Sequence, residues 1–112
     1  MEFYKKIEMT DEMRERHEKY LAIQKKKLEE YKTLSPEERY EIFKELIEGH
    51  FHGLIYQRGI SVYDDLYGDE IFESCSSDLK YEYGAVAPEE WKQRVADDWS
   101  DLFWKVKDEV FR

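Results

Sequence analysis

Apolar residues recur at helical spacing in two long segments of the first half of the chain. The first segment follows Thr10, a good helix N-cap, and predicts a helix over Asp11–Lys32. The second begins at Ser35–Glu38, where a serine cap, an early proline and a glutamate three residues after the cap mark a helix start, and it ends near Gly59. The stripe of the first helix is Met13, His17, Tyr20, Leu21, Gln24, Leu28 and Tyr31.

A third segment with the same periodicity lies at the C-terminal end. Pro88 is followed by two glutamates, which suits a helix entrance, and the predicted helix spans about Pro88–Val110. Two aromatic residues, Trp104 and Phe111, lie off its stripe, so we expect them to be exposed or to meet a second chain. The stripe consists of Trp91, Val95, Trp99, Leu102, Phe103, Val106 and Val110.

The stretch between the second and third predicted helices, residues 60–85, has no clear period. Brief alternation at Ile60–Tyr63 and Leu79–Tyr83 favours a short antiparallel hairpin, with turn residues between. A short helix over Asp65–Glu73 fits equally well. We therefore expect an irregular acidic insertion, with a possible short hairpin.

These segments predict a mainly α fold with a three-helix core and an insertion between helices two and three. The very short link at Thr33–Leu34 predicts that helices one and two pack as an antiparallel hairpin. Gly49 and Gly53 lie one turn apart on the second helix, a spacing typical of close packing against another helix.

Composition supports one folded domain over residues 1–112. Charged residues make up 40% of the chain, but 41% is apolar and 16% aromatic, which disfavours disorder. Cys75 is the only cysteine, so no intramolecular disulfide can form and a reducing compartment fits best. With no signal peptide and no run of about 20 apolar residues, we expect a cytoplasmic protein without a membrane partner.

The net charge of −9 is distributed unevenly. Residues 61–112 hold six Lys/Arg against fourteen Asp/Glu, whereas residues 1–34 are close to neutral. Such segregation repels nucleic acid from the C-terminal half and attracts basic surfaces. The near-neutral first helix is therefore expected to serve as a scaffold.

Carboxylates and tyrosines are interleaved in the acidic insertion, and the third helix adds further carboxylates. Carboxylates at intervals on a rigid surface can imitate duplex phosphates and occupy a site built of Lys and Arg. The alternative is an acidic face that serves only solubility. The candidate partner-binding residues are Asp64, Asp65, Tyr67, Asp69, Glu70, Glu73, Asp78, Tyr81, Glu82, Asp97, Asp98 and Asp101.

The other candidate sites lack the ligand spacing or the neighbouring residues that their functions require. The acidic pairs lack the alternating ligands and central glycine of a calcium loop. His50 and His52 point to different sides of a helix and cannot share a metal, so we expect one packed and one surface histidine. Acidic neighbours would raise the pKa of Cys75, which indicates a structural thiol. The basic run Lys25–Lys27 is flanked by glutamates, which disfavours direct nucleic-acid binding.

In composition the chain is similar to small phage-encoded inhibitors of host nucleases, the anti-restriction and anti-CRISPR proteins. Those proteins are short, acidic and cytosolic, and several are DNA mimics. The resemblance implies an inhibitor that binds a basic protein such as a host nuclease, acting in the host cytoplasm if the chain is phage-encoded. No catalytic constellation is present, so we expect neither an enzyme nor a cofactor.

Two further functions fit the same residues. An immunity protein or antitoxin that neutralises a basic toxin enzyme would use the same charge complementarity. An oligomeric adaptor would instead bury the first helix, or Trp104 and Phe111, in a dimer. The chain is thus expected to be a monomer or a homodimer.

Overall fold

A computed structural model describes residues 10–111, which are mainly helical, as the sequence predicts. The described part contains four α-helices, one 3₁₀ helix and no strand. In chain order the elements are α1 (Asp11–Lys32), α2 (Pro36–Arg58), the 3₁₀ helix (Ile60–Asp65), α3 (Gly68–Tyr83) and α4 (Trp91–Val110).

The predicted ends of the first two helices are confirmed by their caps. The Thr10 side chain accepts a hydrogen bond from the Met13 backbone N–H. Ser35 and Glu38 form a complete capping box, with each side chain bonded to the other residue's backbone N–H. Gly59 ends α2 with φ at +79°, a region that glycine enters freely. Local side-chain chemistry therefore sets both helices.

The last helix begins three residues later than predicted. Its N-terminus is preceded by a turn in which Trp91 N–H donates to the Pro88 carbonyl and Lys92 N–H to the Glu89 carbonyl. These bonds span three residues, as in a 3₁₀ turn, so Pro88–Glu90 leads into α4 without belonging to it.

Of the two alternatives for residues 60–85, the short hairpin is wrong, and the short helix over Asp65–Glu73 is confirmed in part, because α3 begins three residues later and ends ten residues later. The helix contains three serines, a residue that competes for backbone hydrogen bonds in a helix interior. Here Ser76 Oγ donates to the Phe72 carbonyl at 2.6 Å and Ser77 Oγ to the Glu73 carbonyl at 3.2 Å, which is compatible with the helix. The alternation at Leu79–Tyr83 is one buried leucine followed by the exposed end of the helix.

The core forms around α2, which packs against α3 and α4. Every fourth or third residue of α2 is buried, and these residues are Tyr40, Phe43, Ile47, Phe51 and Ile55. Aromatic contacts join the layers, with ring centroids 5.1 Å apart for Phe43 and Trp91 and 5.5 Å for Phe51 and Phe103. Burying each phenylalanine stabilises the fold by about 2–3 kcal/mol.

Helices α2 and α4 run parallel to each other. Three polar contacts join them in the same order along both helices: Glu37 with Arg94, Tyr40 with Asp98, and Glu48 with Lys105. For α2 and α4 to run parallel, the chain between them must return to the starting end, and α3 provides this return. The core is therefore built from α2, α3 and α4, rather than from the three helices predicted.

The prediction that α1 and α2 pack as an antiparallel hairpin is also wrong. Helix α1 crosses the C-terminal end of α3, where Tyr20 and Gln24 donate to the Tyr81 carbonyl at 3.2 and 3.1 Å. Arg39, in the first turn of α2, holds the other end of α1 by donating to the Tyr31 and Lys32 carbonyls. This crossing gives a Cα radius of gyration of 17.8 Å, against about 13 Å for a compact domain of this length.

Gly49 and Gly53 do not mediate helix packing, contrary to prediction. Among the described residues, nothing lies within 4 Å of a Cβ added at either position. By contrast, a Cβ on Gly68 would lie 3.4 Å from the Ala96 Cα, so the close helix approach is made by α3 and α4.

Alanine substitution should therefore stabilise the protein at some of these glycines and destabilise it at another. Gly49→Ala and Gly53→Ala should each raise the free energy of unfolding by about 0.5–1 kcal/mol, because both sites are helical and open. Gly84→Ala should lower it by about 1–2 kcal/mol, because that residue has φ at +68°. Urea denaturation measures all three, and a stabilised Gly84→Ala variant would contradict the helix end described.

Candidate interaction surface

The 3₁₀ helix, the start of α3 and the middle of α4 meet at one end of the molecule. Tyr63 packs between Trp99 and Trp104, with ring centroids 5.1 Å from each, and its hydroxyl shares a 2.9 Å hydrogen bond with Ser100. The approach of Gly68 to Ala96 brings the first turn of α3 against the same part of α4. Residues distant in sequence are thereby placed on one surface.

Exposed carboxylates from all three elements lie on this surface. None of them is in an ion pair within residues 10–111, and only Asp97 accepts a side-chain hydrogen bond, from Gln93. Tyr67 and Trp104 are exposed among them, at 63% and 41%. We call this surface the acidic patch, which consists of Asp64, Tyr67, Asp69, Glu70, Asp97, Asp101 and Trp104.

Two of the four bases of α4, Arg94 and Lys105, are directed away from this patch, whereas Lys92 lies beside α3 and its pKa is raised chiefly by Glu89 and further by Glu73 and Asp69. Arg94 makes a two-fold contact with the Glu37 carboxylate at 3.2 and 3.1 Å, and Lys105 contacts Glu48 at 2.9 Å. The hydrogen bond and charge of Arg94 lower the pKa of Glu37. Pairing across to α2 therefore leaves the C-terminal half even more acidic at its surface than its sequence balance indicates.

Three of the predicted binding residues already have partners inside the molecule. Asp65 pairs with Arg58 at 2.8 Å, and Glu73 lies 4.0 Å from Lys92. Asp98 accepts a 2.8 Å hydrogen bond from the hydroxyl of the buried Tyr40. These carboxylates contribute to the fold, so they are less available to a partner than the patch residues.

The other predicted residues are separated from the patch by the length of α3. Asp78, Tyr81 and Glu82 lie in its C-terminal half, and thirteen residues of helix between Asp69 and Glu82 span about 20 Å. Tyr81 is 69% exposed and its ring lies 6.0 Å from that of Tyr20 on α1. The predicted site is thus divided into two ends of α3.

Two residues, Trp104 and Arg94, make contacts at this surface or beside it that were not predicted from the sequence. Trp104 was expected to be exposed, and its place within the acidic patch follows from the packing of Tyr63 beneath it. The Arg94 guanidinium lies 3.8 Å from the centre of the Tyr40 ring while binding Glu37. Only the off-stripe position of Trp104 gave a signal in the sequence.

The two neighbouring histidines lie where the sequence predicted. His50 is half-buried and His52 exposed. No group of three or more His, Cys, Asp or Glu within the described chain is arranged to hold a metal ion. No helix among the same residues is long and apolar enough to cross a membrane.

No known protein family, curated protein or solved structure matches this chain. The surface itself must therefore indicate the chemistry of any partner.

Burial of Cys75 predicts a loss of stability in alkali. Burial first, and the charge of Asp78 second, raise the pKa of the thiol to about 12, and burial also raises the pKa of Tyr40. The unfolded thiol ionises near pH 8.5. The folded state alone keeps its proton above that pH, so the free energy of unfolding should be constant from pH 7 to 8 and fall as the pH rises towards 12.

Urea titrations across that pH range measure this loss, and Cys75→Ala is the matched variant. It should show a shallower decline, and the remainder comes from the other groups whose pKa the fold raises, which are Tyr31, Tyr40, Tyr83, Lys92 and Lys105. A slope identical in both proteins would show that the thiol does not ionise preferentially in the unfolded chain.

Proposed function

We propose that this protein binds a basic, nucleic-acid-handling protein through the acidic patch and thereby inhibits it. The observation that carries the proposal is a set of exposed carboxylates without ionic partners in residues 10–111, gathered from three elements. A surface built only for solubility would not need to direct Arg94 and Lys105 towards α2.

The spacing of the carboxylates supports mimicry of a nucleic acid. Asp97 and Asp101 are one turn apart on α4, which separates them by about 6 Å along the helix axis. One strand of duplex DNA presents a phosphate about every 3.4 Å along its axis, so the pair approximates every second phosphate. Lys and Arg side chains that bind phosphates bind carboxylates through the same charge-assisted hydrogen bonds.

The aromatic residues of the patch supply what charge alone does not. Tyr67 and Trp104 offer large contact areas with few rotatable bonds, and such residues carry much of the energy of protein interfaces. Carboxylates would speed association by electrostatic steering, while the aromatic side chains would slow dissociation. Inhibitors and antitoxins share this physics, so the identity of the captured partner distinguishes them.

The test compares two variants of equal net charge. The patch variant carries Asp64→Asn, Asp69→Asn, Glu70→Gln and Asp101→Asn. The control variant carries Glu45→Gln, Glu90→Gln, Asp108→Asn and Glu109→Gln, which are exposed residues outside both the acidic patch and α1. Proteins captured by the wild type from lysate of the native host are identified, purified and titrated with all three chains over a salt series.

At about 0.5 kcal/mol for each exposed charge contact, the patch variant should bind roughly 30-fold more weakly and show a smaller salt dependence. The control should bind like the wild type, and duplex DNA should compete with the wild type for the partner. Equal weakening by both variants, or binding indifferent to salt and DNA, would contradict the proposal.

A further inference from the structure

We propose that α1 is a self-association element, which pairs antiparallel with α1 of a second copy of this chain. The proposal rests on α1 alone and is independent of the acidic patch. Of the two roles that the sequence suggested for the first helix, a scaffold and a dimer contact, it favours the second.

The N-terminal half of α1 lies beyond the body of the protein. Every residue from Asp11 to Ile23 is exposed, and the first less exposed residue is Gln24. The cause is the crossing at the end of α3, which α1 contacts only through its second half, from Tyr20 to Tyr31. An unsupported helix of this length is marginal in water, so a partner is needed to hold it.

Exposed apolar side chains are concentrated on this half. Met13 is 45% exposed, Tyr20 38% and Ile23 57%, and at steps of seven and three they share one side of the helix. The side chain of Arg16 lies between Met13 and Tyr20 on that side, where its aliphatic stem can cover apolar surface. This face has the form of a helix-pairing surface.

Charge identifies a second copy as the occupant. Residues 35–112 hold nine Lys/Arg against nineteen Asp/Glu, so two bodies of this protein repel each other. Residues 11–32 hold seven against six, which makes α1 the near-neutral element through which two copies can meet. Because α1 extends outward, pairing along it separates the acidic bodies by more than the Debye length of about 8–10 Å.

The charges along α1 favour the antiparallel orientation. Residues 11–18 hold four acidic and two basic side chains, whereas residues 25–32 hold four basic and two acidic ones. An antiparallel overlap of the exposed halves places residues 11–18 of one copy opposite residues 18–25 of the other, which hold two basic side chains and one acidic one, and it also opposes the two helix dipoles. A parallel pair would place like halves together and bring the two bodies into contact.

A hollow beside α1 gives the pair its register. It has a volume of about 240 Å³ and lies between α1 and the end of α3. Antiparallel overlap of the exposed halves brings Met13 of the second copy over this hollow, next to Ile23 and Tyr81. The residues that line it are Tyr20, Ile23, Gln24, Lys27, Tyr81 and Glu82.

Sedimentation velocity of the full chain over a concentration series tests the association. The wild type should form dimers, and Met13→Glu with Ile23→Glu should weaken dimerisation at least about tenfold. Tyr56→Glu is the control, since Tyr56 is 81% exposed but lies on α2, and its dimerisation should match the wild type. A wild type that stays monomeric, or equal weakening by Tyr56→Glu, would overturn the proposal.

Cysteine cross-linking tests the orientation, and buried Cys75 does not interfere. A mixture of Met13→Cys and Ile23→Cys chains should form mixed disulfide dimers faster than either chain forms dimers with itself. Faster self-pairing of both chains would indicate a parallel pair and overturn the antiparallel arrangement. A monomeric chain whose cysteines resist labelling would show that the face is covered within one copy, which would also overturn the proposal.

Discussion

The parallel packing of α4 against α2 determines most of the remaining structure. Aromatic contacts at Phe43–Trp91 and Phe51–Phe103 fix it in the interior, and the Arg94–Glu37 and Lys105–Glu48 pairs fix its register at the surface. Because α2 and α4 are parallel, the chain must run back between them, and α3 is the helix that does so. Because α3 then occupies the groove beside α2, α1 packs across the C-terminal end of α3 and meets α2 at Arg39 in its first turn.

The same packing determines where charge remains at the surface. Arg94 and Lys105 of α4 bind carboxylates of α2, and the carboxylates of the acidic patch keep no ionic partner among residues 10–111. The near-neutral α1 is left exposed at the other end of α3. Separate ends of one helix thus carry the two candidate contact surfaces, one acidic and one apolar.

Local signals predicted the parts of the fold that depend on neighbours in sequence. The capping box at Ser35, the cap at Thr10 and the apolar stripes of α1, α2 and α4 were readable because each acts within a few residues. Helix α3 was predicted only as a shorter alternative, because Gly68 and Asp69 are typical of a turn, whereas in the structure they begin the helix. The division of the acidic residues could not be predicted, since it depends on which carboxylates meet Arg58, Lys92 and Tyr40 across the fold.

Hydrogen–deuterium exchange of the protein in complex with its captured partner tests most directly whether the acidic patch binds that partner, because it maps the contact surface without altering a residue. The acidic patch should gain protection at residues 60–72 and 96–105, while α1 should exchange as it does without the partner. Protection confined to α1, or to the exposed face of α2 around Tyr56, would contradict the account.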